Sequence, residues 1–124
     1  MAKPSTYVAV SPTQRAGGLA EAEALHYLLA QGLHPLAANV RLRRGELDLI
    51  MADGEVCVFI EVRARRTASH GGAAASVDAR KQARVRAAAQ AWLQWRCAGR
   101  PWPPCRFDVV AIEAGRLHWV RDAF

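Results

Sequence analysis

Residues 45–66, GELDLIMADGEVCVFIEVRARR, constrain the fold of this chain more than any other segment. Two runs of strand-forming apolar residues flank the pair Asp53-Gly54, and an Asp-Gly pair in that setting predicts a tight β-hairpin turn. With these two residues as the turn, Leu47 faces Ile60 and the hairpin has one wholly apolar face. A slip of one residue would move carboxylates into that face, so the sequence specifies its own register.

The opposite face of the predicted hairpin carries acidic residues. In the same register Glu46 lies directly across from Glu61, with Asp48 on the same face. Like charges that face each other repel, and a buried carboxylate without a partner is strongly destabilising. A hard divalent cation would relieve this crowding, and ligation by oxygen atoms alone suits Mg²⁺ or Mn²⁺ rather than zinc. We therefore predict a metal site formed by Glu46, Asp48 and Glu61.

Arginines flank the predicted acidic centre on both sides of the hairpin. They are Arg41, Arg43, Arg44, Arg63, Arg65 and Arg66. Such arginines either neutralise the carboxylates through salt bridges or hold the backbone phosphates of a nucleic acid. A formal net charge of +6 favours a polyanionic partner. Acid at the centre with base around it also suits metal-dependent phosphodiester chemistry.

Two helices are predicted, one before this hairpin and one after it. The first runs from about residue 18 to residue 31, with Leu25 and Leu28 at helical spacing and Gly32 at its C-terminal end. The second has Ser76 as its N-cap and ends before Gly99. Its predicted inward face consists of Val85, Ala88, Ala89, Trp92 and Leu93, and its exposed face carries Arg80, Lys81, Arg84 and Arg86.

The remaining apolar runs predict further strands. An extended segment, LHPLAANVRLRR, leads into the hairpin, and two more strands surround the turn EAGR near the C-terminus. Asp108, central to the first of these, is expected to pair with Arg106 or another base. The order α-β-β-β-α-β-β predicts a single α/β domain with a central mixed β-sheet flanked by helices. Residues 1–16 are expected to be a flexible N-terminal segment, and TASHGGAAAS is expected to be a mobile loop.

The cysteines and the apolar segments indicate the cellular setting. Cys57, Cys97 and Cys105 are odd in number and lack a CxxC spacing, so they predict neither a disulfide framework nor a zinc site. This usage fits a reducing, cytoplasmic environment. No apolar run has the length of a signal peptide or of a membrane span, so we expect no membrane association.

Several segments, in their order and spacing, resemble the YraN-like family of small bacterial proteins. The segments are AEAEALHYLLAQG, NVRLRRGELDLIMADGEVCVFIEVRAR, SVDARKQARVRAAAQAWL and RFDVVAIE with the terminal DAF. Members of that family are predicted endonucleases of the PD-(D/E)XK superfamily, similar to archaeal Holliday junction resolvases. The resemblance implies a restriction-endonuclease-like fold for a nuclease-like domain over residues 17–124.

The resemblance also implies roles for single residues. Asp48 and Glu61 would bind the metal, and Glu21 of the first helix would complete the site. The alternative for Glu21 is an exposed glutamate favoured by the helix macrodipole. Where the family has a catalytic lysine this chain has Arg63, which can supply charge but cannot be deprotonated. Lys81 either supplies an ammonium to this site or contacts phosphate and solvent from the helix surface.

These features lead to two hypotheses of function. The first is a Mg²⁺- or Mn²⁺-dependent endonuclease that hydrolyses phosphodiester bonds, branched DNA included. Its catalytic residues would be Asp48, Glu61, Arg63 and Glu21. The second is a non-catalytic nucleic-acid-binding or scaffold protein that retains the nuclease fold, because Arg63 replaces the lysine. Both have nucleic acid as the partner, with DNA favoured over RNA but RNA left open, and the resemblance to resolvases makes a homodimer one option. The predicted nucleic-acid contacts are Arg41, Arg43, Arg44, Arg65, Arg66, Lys81 and Arg84.

Overall fold

The computed structural model describes residues 5–6, 12–65 and 77–124. Its elements in chain order are β1 (Ser5–Thr6), α1 (Pro12–Ala30), β2 (His34–Leu42), β3 (Gly45–Asp53), β4 (Val56–Arg65), α2 (Ala79–Cys97), β5 (Cys105–Glu113) and β6 (Arg116–Val120). Across these residues the strands form one sheet in sequence order, antiparallel at every step except the parallel pair β4 and β5. The predicted α/β class and order of elements are confirmed, and β1 adds a short edge strand.

The hairpin of β3 and β4 forms as predicted, but its turn lies one residue further along the chain. Asp53 pairs with Val56, so the turn residues are Gly54 and Glu55. Gly54 has a φ of 60°, which glycine adopts without steric cost, and a glycine at the first turn position is typical of a type II′ turn. The predicted turn at Asp53-Gly54 is therefore wrong. The first turn position has a positive φ, and glycine adopts such a φ more easily than aspartate, so Gly54 occupies that position.

The corrected turn moves the pairing of the two strands by two residues. Ile60 pairs with Leu49, whereas the predicted partner was Leu47. A shift of two residues keeps each side chain on its own face, because successive side chains of a strand alternate. The shift does change which residues stand opposite each other, so the predicted pairing of Glu46 with Glu61 is wrong.

Each face of the sheet packs against a different helix. On one face, α1 contributes Ala24 and Leu28 to a cluster with apolar residues of β3 and β4. They are Leu49, Met51, Val58 and Ile60. On the other face, Ile50 and Phe59 pack against the inward side of α2, which consists of Val85, Ala88, Ala89, Trp92 and Leu93. This is the inward side predicted from helical spacing, and each large apolar side chain buried there contributes about 1.5–3 kcal/mol.

The first residues of β3 depart from this alternation. Leu47 packs in the cluster of α2, whereas Leu49 packs in the cluster of α1. Between them, the regular pairing of β3 with both neighbouring strands is interrupted at Asp48. Gly45 approaches α2 so closely that a β-carbon on it would lie 3.3 Å from the carbonyl oxygen of Arg84. The start of β3 is therefore held against α2, and the predicted apolar face does not extend to Leu47.

Both helices begin at residues other than the predicted ones. α1 begins at Pro12 rather than near residue 18, and Gly32 beyond its end has a φ of 96°, as expected for a glycine after a helix. α2 begins after Asp78, whose side chain accepts a hydrogen bond from the backbone N–H of Lys81 at 2.8 Å. Asp78 is the N-cap in place of Ser76, since a carboxylate there is also favoured by the positive end of the helix.

Some expectations fall on residues outside the described ones. They are the loop at 67–76, which includes Ser76, and the nucleic-acid contact at Arg66. The flexibility expected of residues 1–16 stays a prediction. Neither α1 nor α2, the helices among the described residues, is long and apolar enough to cross a membrane.

A buried carboxylate, Asp108 of β5, joins several elements. Its side chain is 0% exposed and accepts hydrogen bonds from Arg106 Nε at 3.0 Å and Trp119 Nε1 at 2.9 Å. The backbone N–H of Asp122 donates a further bond at 2.9 Å. Arg106 also reaches Asp53 at the hairpin end, with 2.9 Å between Nη1 and Oδ2. The expected pairing of Asp108 with Arg106 is confirmed, and it ties β5 to β6, to the C-terminal residues and to the hairpin.

Replacing Asp108 with alanine is expected to lower the free energy of unfolding by about 3 kcal/mol or more. The substitution leaves Nε of Arg106 and the indole N–H of Trp119 without their acceptor in a partly buried place. Urea denaturation at neutral pH measures the change. A matched control is Glu46→Ala, because Glu46 is 48% exposed and such surface pairs contribute about 1 kcal/mol or less. Equal losses for the two variants would contradict this account.

Candidate metal and nucleic-acid site

Four elements meet around a cavity of about 350 Å³ at one end of the sheet. It is lined by Ala20 and Glu21 of α1, Asp48 of β3, Glu61, Val62, Arg63 and Ala64 of β4, and Lys81 of α2. Three of these side chains are acidic and two are basic. The structure therefore brings together residues that lie far apart in the sequence, and the three carboxylates line one cavity.

Glu61 is the most deeply buried of the three acids. Its side chain is 2% exposed, Oε1 has no hydrogen-bond partner among the residues that the structure describes, and Oε2 lies 3.6 Å from Lys81 Nζ. Burial, together with the negative charge of Asp48, raises the pKa of Glu61 to about 8, although Lys81 and Arg63 oppose this shift. Glu61 thus offers a buried oxygen with unused acceptor capacity.

Asp48 stands beside Glu61 and is held by the neighbouring strand. The backbone N–H of Val62 donates a hydrogen bond to Asp48 Oδ2 at 2.9 Å, next to the place where the regular pairing of β3 with β4 ends. Burial raises the pKa of Asp48, and this N–H together with the charge of Lys81 limits the increase. Because the regular pairing of β3 with β4 ends here, the N–H of Val62 donates to the carboxylate of Asp48 instead of to a backbone carbonyl of β3.

Glu21 brings the third carboxylate from α1. Burial and the charge of Asp48 raise the pKa of Glu21 to about 7, and a hydrogen bond with the side chain of Asn39 opposes the shift. Asn39 has a φ of 51° within β2, a left-handed conformation that asparagine tolerates better than most residues. Sequence reasoning missed Asn39. The signal was an asparagine within a run of strand-forming residues.

Glu46, the third predicted metal ligand, is placed differently. It is exposed, pairs across the strands with Arg41, and its Oε1 lies 3.0 Å from Arg41 Nε. It is not among the residues that line the cavity. Its charge nevertheless contributes to the raised pKa values of Glu21 and Asp48. The structure therefore sets Glu46 at the edge of the acidic site rather than at its centre.

The basic residues lie at the same end of the sheet. Arg43 and Arg44 follow the last residue of β2, and Arg65 ends β4, which runs antiparallel to β3. Arg84 lies on the exposed side of α2, with its backbone against Gly45. Arg63 lines the cavity, and its Nε is buried with no hydrogen-bond partner in the described part of the chain. Their role as nucleic-acid contacts stays a prediction, and Arg66 lies outside the described residues.

The donor atoms suit a magnesium-like ion that is shared with a substrate. In residues 5–6, 12–65 and 77–124 no group of three or more His, Cys, Asp or Glu side chains is placed to hold a metal ion, so the predicted set of Glu46, Asp48 and Glu61 does not come together. Mg²⁺ is commonly bound by one or two carboxylates together with water and substrate phosphates. Asp48 and the unpartnered Oε1 of Glu61 fit that mode of binding.

A mixed sheet flanked by two helices, with carboxylates on a central hairpin, is the arrangement of restriction-endonuclease-like α/β proteins. The chain matches the family described as "Uncharacterised protein family UPF0102" over residues 20–112. It therefore belongs to UPF0102, the YraN-like family.

The relatives in this family are close in sequence. The chain is 57% identical over 118 residues to a UPF0102 protein of Bordetella parapertussis, covering 92% of this chain and 66% of that protein. It is 57% identical to a UPF0102 protein of Halorhodospira halophila, covering 91% of this chain and 88% of that one. A UPF0102 protein of Serratia proteamaculans is 54% identical, with 90% and 97% covered.

The raised carboxyl pKa values predict that the metal-free protein becomes less stable as the pH rises. Glu61 and Glu21 have folded-state pKa values of about 8 and about 7, above the ordinary 4.5. Their protonated forms therefore stabilise the fold fully below about pH 4.5, and this contribution is lost as the pH rises through 7 to 8. Melting temperatures measured in a chelator from about pH 5 to about pH 9 test this.

Glu61→Gln is the matched control for this pH dependence. Its amide cannot ionise, so its melting temperature is expected to fall less than that of the wild type over the same interval. The difference should be at least about 4 °C, which corresponds to about 1 kcal/mol for a domain of this size. Parallel curves for the two proteins would contradict the raised pKa of Glu61.

Proposed function

We propose that this protein is a metal-dependent endonuclease that binds DNA and hydrolyses its phosphodiester bonds with Mg²⁺ or Mn²⁺. The observation that carries the proposal is the buried and unpartnered Oε1 of Glu61 beside the carboxylate of Asp48. A buried carboxylate oxygen without a partner is unfavourable, and together with the half-buried carboxylate beside it, it is suited to binding a divalent cation.

The roles of the residues follow from their chemistry. A divalent ion in this cavity would supply Lewis-acid stabilisation and a water of lowered pKa. Asp48 and Glu61 hold that ion. Glu21, with a pKa of about 7, can accept a proton on its carboxylate near neutral pH. Arg63 keeps its proton under all such conditions and therefore contributes positive charge toward a phosphate.

The cations around the cavity would bind the nucleic-acid backbone. Arg43 and Arg44 lie between β2 and β3, Arg65 lies at the end of β4 and Arg84 lies on α2, all exposed. Contacts of this kind go to phosphates and are independent of base sequence. Binding should therefore weaken steeply as the salt concentration rises.

A second candidate function rests on Arg63. Because arginine stands where similar proteins have a catalytic lysine, a non-catalytic nucleic-acid-binding or scaffold protein with a nuclease fold is the alternative. Both candidates bind DNA in a salt-dependent way. The endonuclease alone turns over substrate, and its turnover requires the metal.

Cleavage of linear, flapped and four-way branched DNA, with and without Mg²⁺ or Mn²⁺, decides between the two. We expect wild-type protein to cut at least one of these substrates only with metal. Asp48→Asn and Glu61→Gln should each lower the rate by at least about 100-fold, because each loses charge at the centre of the site. Glu55→Gln, in the exposed turn of the hairpin and outside the cavity lining, is the matched control and should retain its rate. Binding of DNA without cleavage of any substrate would leave the scaffold alternative.

Metal binding can be tested without DNA. Mg²⁺ or Mn²⁺ should raise the melting temperature of the wild type, because an ion that binds only the folded state stabilises it by about 2.7 kcal/mol at 100 times its Kd. Asp48→Asn should lose most of this increase. An equal increase in both proteins would place the metal elsewhere.

A further inference from the structure

Lys81 reaches the acidic centre from α2. Its Nζ lies 3.6 Å from Oε2 of Glu61, and its side chain is 33% exposed, so it faces both the cavity and solvent. Its backbone N–H is fixed by the N-cap Asp78, and Val85, one turn further along α2, is buried against the sheet. The helix therefore holds Lys81 at the cavity by contacts that do not involve its ammonium.

Lys81 is the cation that acts most strongly on the two central acids. At both Asp48 and Glu61, its charge opposes the raised pKa more than the charge of Arg63 does. A separation of 3.6 Å is long for a charge-assisted hydrogen bond, which is commonly about 2.7–2.9 Å. The ammonium is therefore near both carboxylates without being tightly bound by either, and its three donors can turn to another anion.

We propose that Lys81 is the cation that contacts the reacting phosphate at this site, and that its pairing with Glu61 is exchanged for phosphate when DNA and metal are bound. This inference rests on the proposed function. Once Glu61 is engaged by a divalent cation, Lys81 loses its partner in the protein, and the nearest available anion is the phosphate. Arg63 then has the separate task of holding an adjoining phosphate.

The alternative is that Lys81 only neutralises Glu61 within the folded protein. The two roles differ in how DNA affinity depends on metal. If Lys81 exchanges partners, it contributes to DNA binding only when metal occupies the site. If it is structural, its removal changes stability and affects DNA affinity equally with and without metal.

The first test measures the Kd for a labelled DNA duplex in EDTA and in Ca²⁺, for wild type and Lys81→Met. We expect Lys81→Met to weaken binding about fivefold or more in Ca²⁺, and by less than about twofold in EDTA. Arg96→Met is the matched control, because it removes the same charge from the far end of α2 and should show equal effects in the two buffers. Equal effects of Lys81→Met in both buffers would overturn the proposal.

The second test measures single-turnover cleavage at saturating DNA with Mg²⁺. Lys81→Met should lower the rate by at least about 100-fold, and Lys81→Arg, which keeps the charge, should recover part of the loss. A Lys81→Met rate within about threefold of the wild type would overturn the inference about Lys81 and leave the proposed function intact. Absence of cleavage and of any metal effect on DNA affinity in the wild type would instead overturn the proposed function and this inference together.

Discussion

The burial of Glu61 next to Asp48 is the constraint to which the surrounding elements conform. Burial raises the pKa of both carboxyl groups, the charge of Asp48 raises that of Glu61 further, and the protein limits this cost with an N–H and two cations. The N–H of Val62 comes from the interrupted pairing of β3 with β4, and Lys81 comes from the capped start of α2. The stable part of the domain, with helices buried on both faces of the sheet, supports a site that is itself unfavourable without a bound cation.

The layers of the fold could be predicted from the sequence because they depend on local patterns. Helical spacing identified the inward face of α2 from Val85 to Leu93, and that face is the buried one. The hairpin turn was wrong by one residue, because Asp53 and Glu55 both suit a turn and only the φ of Gly54 decides between them. This small error placed Glu46 opposite Glu61, whereas the residue paired with Glu46 in the structure is Arg41 of β2.

The composition of the site depended on long-range packing that no local pattern contains. Asp48 and Glu61 stood out because acidic residues are rare within apolar strands, and Glu21 was supplied by the family resemblance. The role of Asn39 could not be found in this way, and the sequence left open whether Lys81 lies at the site or on the helix surface. The first depends on a left-handed residue in β2, and the second depends on where α2 docks after a segment outside the described residues.

The parallel pairing of β4 with β5 has a consequence for synthesis of the chain. Glu61 pairs with Val109, and two parallel strands need a long crossover connection between them, which here contains α2. The hairpin leaves the ribosome before α2 and β5 do. At that stage its carboxylates are in water and have their ordinary pKa values. The acidic cavity therefore closes only when the chain is nearly complete, and a nascent chain tethered beside its own messenger RNA does not yet contain it.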